Sequence, residues 1–481
     1  MKRFSFLFFG LLLITGCTSI TDPYANAPKE SSTTWNPLKK NLLVSSEYFD
    51  TLVPCDYENK ILSLAEMVDI ALKNSPLTKA SWSEARAQAA KYSQSLSSYF
   101  PEFNFVGTYQ RERQVFFTQN QFSTTPFYLT TVSPELHVSY TIFDFGERRN
   151  TSEAALYSLY YADYMHNQEI QNVLKVVMNE YYNYVYQKHL LKAYEEDLKT
   201  SEVVLDAAEK KRDVGVADLS DVSRARAKYL QKKIQTIEQR KTVETSFANL
   251  AKNVGLPANV TFQVQDLPEK LSVEPLLENL DQLVTRAQKN RPDFKAASAK
   301  VAMSLSNLGK AKAERLPKIQ GNFDIGRSWW NDGKHDDYHF NLQLSLSFPL
   351  FKGFYYQNQT KSAEALLDKS KAQLYEKELT IIQEVTSAHS EVKSSTESIQ
   401  YAEEFVQNSE LQFDIALKNY KAGVNTIIEV LSAQSSLADA RAKLVFSKKE
   451  WYSSIANLAF ATGALVVNPN QRSQEACNVS F

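Results

Sequence analysis

The sequence predicts an α+β membrane protein made of a duplicated helix–strand–strand–helix repeat, and three observations carry that prediction. The uncharged segment "FNLQLSLSF" (340–348) alternates apolar and polar side chains without a slip, which in a strand gives one apolar face and one polar face. Such a strand suits a sheet packed on a soluble core, or a barrel wall with lipid outside and water inside. Landmarks also recur at fixed offsets: Pro76 with Pro292 and Pro101 with Pro317, 216 apart, then Gly215 with Gly423 and Gly255 with Gly463, 208 apart. Finally, Glu147 to Arg212 and Phe354 to Lys421 contain neither Pro nor Gly, and globular helices seldom exceed about 25 residues.

Composition narrows the function classes. Hydrophobic content of 43% and charged content of 23% describe a folded protein, and the net charge of -1 gives no footprint for nucleic acid. Only 13 Gly argue against Gly-rich phosphate loops and large all-β architectures. The six His are scattered and form no Ser–His–Asp arrangement, so nothing points to an enzyme, and no metal site is read. No mature segment offers the roughly 20 consecutive apolar residues of a spanning helix, so strands would have to do any crossing.

The elements follow in order. Residues 1–16 read as a signal peptide, with Lys2 and Arg3 ahead of an apolar run from Phe4 to Ile14. The sequence Ile14-Thr15-Gly16-Cys17 looks like a lipobox that acylates Cys17, the alternative being an ordinary signal with an accidental cysteine. Thr18 stands where lipoproteins held at the inner membrane tend to carry Asp, and the lack of that Asp implies the outer membrane. Residues 17–60 form a lipid-anchored extension. An oxidising compartment would allow a Cys55–Cys477 disulfide, with two free buried thiols as the alternative.

The first repeat spans 61–256: a helix over 62–99 that stops before Pro101, strands at about 102–112 and 133–143 around a loop at 113–132, the long helix 147–212, a turn, and a returning helix. A linker at 257–278 leads to the second repeat, 279–464, with a helix over 279–315, strands at about 318–328 and 338–349, and the long helix 354–421. A tail, 465–481, ends in Phe481. The long helices carry matching seven-residue ladders, Val177, Tyr184, Leu191, Leu198, Leu205 and Val385, Val392, Ile399, Val406, Phe413, which imply left-handed coiled-coil packing. Polar residues between the rungs, such as Lys188, Glu195 and Glu202, favour curved packing with water along one side. His335 and His339 read as solvated turn residues, and Trp329 with Trp330 as an interfacial girdle or loop packing.

Four amphipathic strands cannot close a barrel alone, and open edges in lipid cost several kcal/mol per unpaired group. Pooling removes the edges: two chains give eight strands, three give twelve with a wet lumen.

The lipobox, the doubled helix–strand–strand–helix order and the turns "VGVADLSDVSRARAKY" and "AGVNTIIEVLSAQ" resemble the TolC family of outer-membrane efflux channels, over about 61–463. That resemblance implies a homotrimer sharing one 12-stranded β-barrel, continued by a long α-helical periplasmic barrel. It implies a passive exit duct of a tripartite pump, in contact with outer-membrane lipid, docked to a periplasmic adaptor and through it to an inner-membrane transporter. No cofactor is implied beyond the lipid anchor. Rival readings are the exit duct of a type I protein secretion system and a periplasmic coiled-coil adaptor or scaffold lipoprotein.

At the turns, Gly215 and Gly423 suit the left-handed residue that ends a helix. Asp218 with Asp221 and Thr426 with Glu429 have the spacing of capping boxes, which alone accounts for the two acids. The family resemblance adds a gate at Glu429 and Ser432: three Glu429 carboxylates would form a cation-selecting ring, while Ser432 stands where relatives can carry a second acid. It also makes the tips Gly215, Val216, Ala217, Gly423, Val424 and Asn425 the expected adaptor contacts; any short helical hairpin would end similarly.

Overall fold

The computed structural model describes residues 60–114, 127–267, 279–330 and 336–465. The signal sequence, Cys17, Cys55, the loop tip at 115–126, the linker segment 268–278, His335, and the tail with Cys477 and Phe481 lie outside the described residues.

Each repeat opens with two short helices. In the first, α1 (Leu64–Asn74) and α2 (Pro76–Leu96) follow the two-residue strand β1 (Ile61–Leu62). Ser63 caps α1 in a full capping box: its hydroxyl accepts from Glu66 N at 3.3 Å, and its own N–H donates to the Glu66 carboxylate at 2.9 Å. That backbone bond, aided by Lys60, holds the Glu66 carboxyl below its ordinary range. Pro76 supplies the first residue of α2, where a missing N–H costs nothing. The single predicted helix over 62–99 is thus two helices, broken at Ser75 because the residue before a proline leaves the helical region.

Strands β2 (Glu102–Gln114) and β3 (Phe127–Phe143) come next. Both run further into the predicted 113–132 loop than the sequence suggests, because the alternation of Tyr109, Arg111 and Arg113 against Tyr128, Thr130 and Val132 continues there. The long helix α3 (Glu147–Asp213) and returning helix α4 (Leu219–Val254) complete the repeat. At 67 residues α3 is about 100 Å long. After β4 (Gln263–Val264) the pattern recurs as α5 (Leu280–Asn290), α6 (Pro292–Ala313), β5 (Lys318–Trp330), β6 (Asp336–Ser347), α7 (Tyr355–Ala422) and α8 (Ile427–Ala461).

The repeat extends to backbone detail. Strand meets long helix through two consecutive left-handed residues, Phe145 and Gly146 in the first copy, Gly353 and Phe354 in the second. Each copy spends one glycine there and forces a phenylalanine into the other position, a conformation that L side chains rarely adopt.

The four long strands make one antiparallel sheet in the order β2-β3-β5-β6, while β1 and β4 pair in parallel. The helix core is laid down unequally. On α7 the buried positions keep a strict three–four spacing, with Val385, Val392 and Ile399 on one rung and the small Ala388, Ser395 and Ala402 on the other. Small rungs allow close approach of α8, where the Ser395 and Ser454 hydroxyls lie 3.0 Å apart. On α3 the ladder from Tyr184 to Leu205 is only half-buried, and Tyr181, Val185, Asp197 and Ser201 lie deeper. The reason is packing: α3 packs mainly against α1, α2, α4, α6 and α8, whereas α7 packs mainly against α5, α6 and α8, so more than one face of α3 is covered.

Candidate functional sites: the two-faced sheet and the helix tips

Hydrogen-bonded rows run across all four strands. Phe103, Val138, Phe323 and Leu342 form one row, and Phe105, Leu136, Ile325 and Phe340 another on the same face. The row between them, Asn104, His137, Asp324 and Asn341, lies on the opposite face with Glu102, Ser139, Asn322 and Gln343. The apolar face is open, with Phe105 and Leu342 each 76% exposed. A soluble protein rarely exposes an apolar patch of this extent.

The polar face is internally bonded. Asp324 pairs with His137 and accepts from Asn341 Nδ2 at 3.2 Å, His339 meets Glu135 at 3.1 Å, and the Ser133 and Ser328 hydroxyls are 2.8 Å apart. His339 is therefore a strand residue on this face and not a turn residue, because β6 begins at Asp336. Trp329 falls on the apolar face, but Trp330, opposite Thr131, falls on the polar one, so the two do not share a girdle.

At the far end of the helices, two turns close in the same way. Gly215 (φ +76°) and Gly423 (φ +87°) adopt the left-handed conformation. Val216 N donates to Lys211 O at 2.9 Å, and Val424 N donates to Asn419 O at 2.9 Å. These six-to-one bonds satisfy the last carbonyls of α3 and α7. Val216 and Val424 stand out from the tips, 67% and 76% exposed. The predicted capping boxes are absent: neither Asp218 nor Thr426 accepts a cap bond, and the Thr426 hydroxyl instead donates to the Glu429 carboxylate at 3.3 Å. Glu429 and Ser432 both lie exposed on α8, three residues apart and so on one face of the helix. The copies differ at one position that sequence reasoning missed, since Leu219 is 63% exposed while its counterpart Ile427 is 1% exposed in the core between the tips.

Two further groups bind the helices together, and neither is signalled by sequence because their members are far apart in the chain. Asp197 of α3, 2% exposed, lies 3.4 Å from Lys232 Nζ of α4 and 3.6 Å from Arg441 Nη1 of α8; Arg441 Nη2 in turn donates to Glu410 of α7 at 3.2 Å. All four long helices meet in this ionic chain. Burial raises the Asp197 carboxyl above its ordinary value, against the opposite pull of Lys232 and Arg441. Nearer the tip, Lys211 Nζ sits 4.2 Å from the centre of the buried Tyr420 ring, tying α3 to α7.

Comparison with known proteins accords with this geometry. The chain matches the family model described as outer membrane efflux protein over residues 67–256 and 283–464, one match for each repeat. It is 25% identical over 417 residues, 83% of each chain, to the probable efflux pump outer membrane protein TtgC of Pseudomonas putida KT2440. In fold it is similar to the outer-membrane channel OprN (TM-score 0.75, 17% identity, 87% of this chain and 91% of that one). It is also similar to the Campylobacter jejuni CmeC outer membrane channel (TM-score 0.74, 18% identity, 95% of each).

Proposed function

The chain belongs to the outer membrane efflux protein family, and from that premise we propose that it is the passive outer-membrane duct of a tripartite efflux pump. In this reading it works as a homotrimer with its helices in the periplasm, anchored by an acyl group on Cys17. A periplasmic adaptor docks at the tips Gly215–Ala217 and Gly423–Asn425, and an inner-membrane transporter supplies the energy.

The observation that carries the reading is the separation of the sheet into an apolar face (Phe103, Val138, Phe323, Leu342) and a hydrogen-bonded polar face (Asn104, His137, Asp324, Asn341), with β2 and β6 left as edges. Lipid outside, water inside and edges paired between copies satisfy all three features. The repeat supplies a register for that pairing. Phe103 with Val138 in the first hairpin becomes Ile319 with Leu346 in the second when the offsets 216 and 208 are applied. The same offsets carry the β3–β5 pair Leu136 with Ile325 onto β6 and the next copy's β2, setting Leu344 beside Tyr109.

Planar-bilayer conductance and heat-modifiable migration on a gel test the reading, since a scaffold lipoprotein would show neither. In the same bilayers, Glu429→Gln is expected to weaken cation selectivity by removing a ring of three carboxylates; unchanged selectivity would reject the ring.

A further inference from the structure

The polar face of the sheet is charged with one sign. Along the strands its acids are Glu102 and Glu112 on β2, Glu135 on β3, Asp324 on β5 and Asp337 on β6. Its one lysine or arginine among the described residues, Lys318, is paired with Glu147 of α3. Two imidazoles stand among these acids. His137 Nδ1 pairs with Asp324 Oδ1, Asn341 Nδ2 donates to Asp324 Oδ2 at 3.2 Å, and His339 Nε2 lies 3.1 Å from Glu135 Oε1. The second pair spans β5, since Glu135 and His339 both stand opposite Gly326. A Cβ at Gly326 would fall 2.5 Å from Glu135 Cγ, so the missing side chain is what lets the glutamate lie across that strand.

A carboxylate only accepts hydrogen bonds, so each ring donates, His137 through Nδ1–H and His339 through Nε2–H. A neutral ring and an imidazolium can both do this. Gaining a proton therefore removes one negative charge from each pair and leaves its hydrogen bond in place. Every strand contributes neighbours. Asn104 and Asn341 complete the row of His137 and Asp324, and Glu102 lies one row toward the helices. Asp337 and the Ser133 and Ser328 hydroxyls lie one row beyond His339. The register that closes the barrel, Leu344 beside the next copy's Tyr109, sets Glu112 of that copy opposite Asn341.

We propose that these two imidazole–carboxylate pairs form a second selectivity element of the duct, a belt in the barrel lumen whose preference for cations weakens when the imidazoles take up protons. This rests on the channel reading, which turns the polar face inward. Three copies then bring six imidazoles and six partner carboxylates into one aqueous passage, far along the chain from the Glu429 tips. Charged side chains that ring a pore select by sign, and imidazole is the side chain whose charge changes between about pH 5 and 8. Protonation of the six rings lowers the negative charge of the belt without reversing it, because Glu102, Glu112 and Asp337 keep theirs. The solutes such a wall favours at neutral pH are cations, organic or inorganic. Cross-strand pairs also stabilise a sheet, but that role alone would not make ion selectivity depend on pH.

The test uses the full-length trimer in planar bilayers under a potassium chloride gradient, with the reversal potential read at about pH 8 and about pH 5. The parent is Glu429→Gln, which removes the tip carboxylates and leaves the barrel to set the selectivity. Its cation-to-anion permeability ratio should fall about twofold or more on acidification. Adding His137→Asn and His339→Gln keeps hydrogen-bonding side chains that do not titrate, and should hold the ratio nearly constant. Adding Glu135→Gln and Asp324→Asn instead should give, already at about pH 8, the low ratio of the acidified parent. Equal falls in the parent and the histidine variant, or an unchanged ratio in the acid variant, would overturn the belt. Each variant decides the matter alone where the other fails to assemble. A conducting trimer whose selectivity ignores both pairs defeats the belt only, whereas a wild type with no conductance defeats the channel reading beneath it.

Discussion

Gly255 presses on Asn74: a Cβ built at Gly255 would fall 2.9 Å from the Asn74 Cβ, closer than real Cβ atoms approach. The second copy repeats the contact, where a Cβ at Gly463 would fall 3.0 Å from Arg291 N and 3.2 Å from the Asn290 Cβ. Both glycines are left-handed, at φ +82° and +68°. The C-terminal end of each returning helix is thus seated against the joint between the two short helices of its own repeat. Gly255→Ala and Gly463→Ala combine a left-handed penalty with a clash, and each is expected to destabilise by about 2–3 kcal/mol. Denaturant unfolding of the purified variants checks this, with Gly107→Ala, which meets nothing within 4 Å, as the milder comparison.

Lys232 and Asp197 are both buried, with side chains 8% and 3% exposed. Removing Lys232 leaves the buried Asp197 with Arg441 alone at 3.6 Å, so Lys232→Met is expected to cost about 2–3 kcal/mol. The double variant Lys232→Met with Asp197→Leu removes both and should recover much of that loss. Unfolding free energies from a double-mutant cycle measure the difference.

Arg291 anchors the second repeat at a position where the first copy has Ser75. Its Nη2 donates to Asp293 at 2.7 Å and its Nη1 to the Ala461 carbonyl at 3.3 Å, and it also pairs with Glu384. Burial pushes the Asp293 carboxyl up, but the Arg291 hydrogen bonds and charge, helped by Lys377, bring it below its ordinary value. A depressed carboxyl contributes stability that is present above its unfolded pKa of about 3.9 and lost as pH falls through its lower folded value. Asp293→Asn should therefore be less stable at neutral pH, and its stability should fall less steeply below about pH 4. Melting temperatures from pH 7 to pH 3 test both statements.

Much of this architecture is legible in the residues. Uninterrupted runs without Pro or Gly mark α3 and α7, strict alternation marks β6, and Gly215 and Gly423 mark the helix stops. What is not legible depends on partners distant in the chain. Val385, Val392 and Ile399 of the α7 ladder face its core, whereas its lower rungs Val406 and Phe413 are half-buried, as is the α3 ladder from Tyr184 to Leu205, against which five helices pack. Spacing places Asp218 and Thr426 at the N-cap positions they occupy, but the cap bond itself needs a side chain turned onto the backbone, and Thr426 turns to Glu429 instead. The Asp197 chain joins residues from four helices. Periodicity reports which face an element buries, not what lies opposite.

The central claim is that sheets from separate copies close into one wall, and oxidative cross-linking of Tyr109→Cys with Leu344→Cys in one chain addresses it directly. The account expects covalent dimers and trimers on a non-reducing gel, formed in the outer membrane, with neither single variant giving trimers. Persistent monomers, with both thiols open to a membrane-impermeant maleimide, would contradict it.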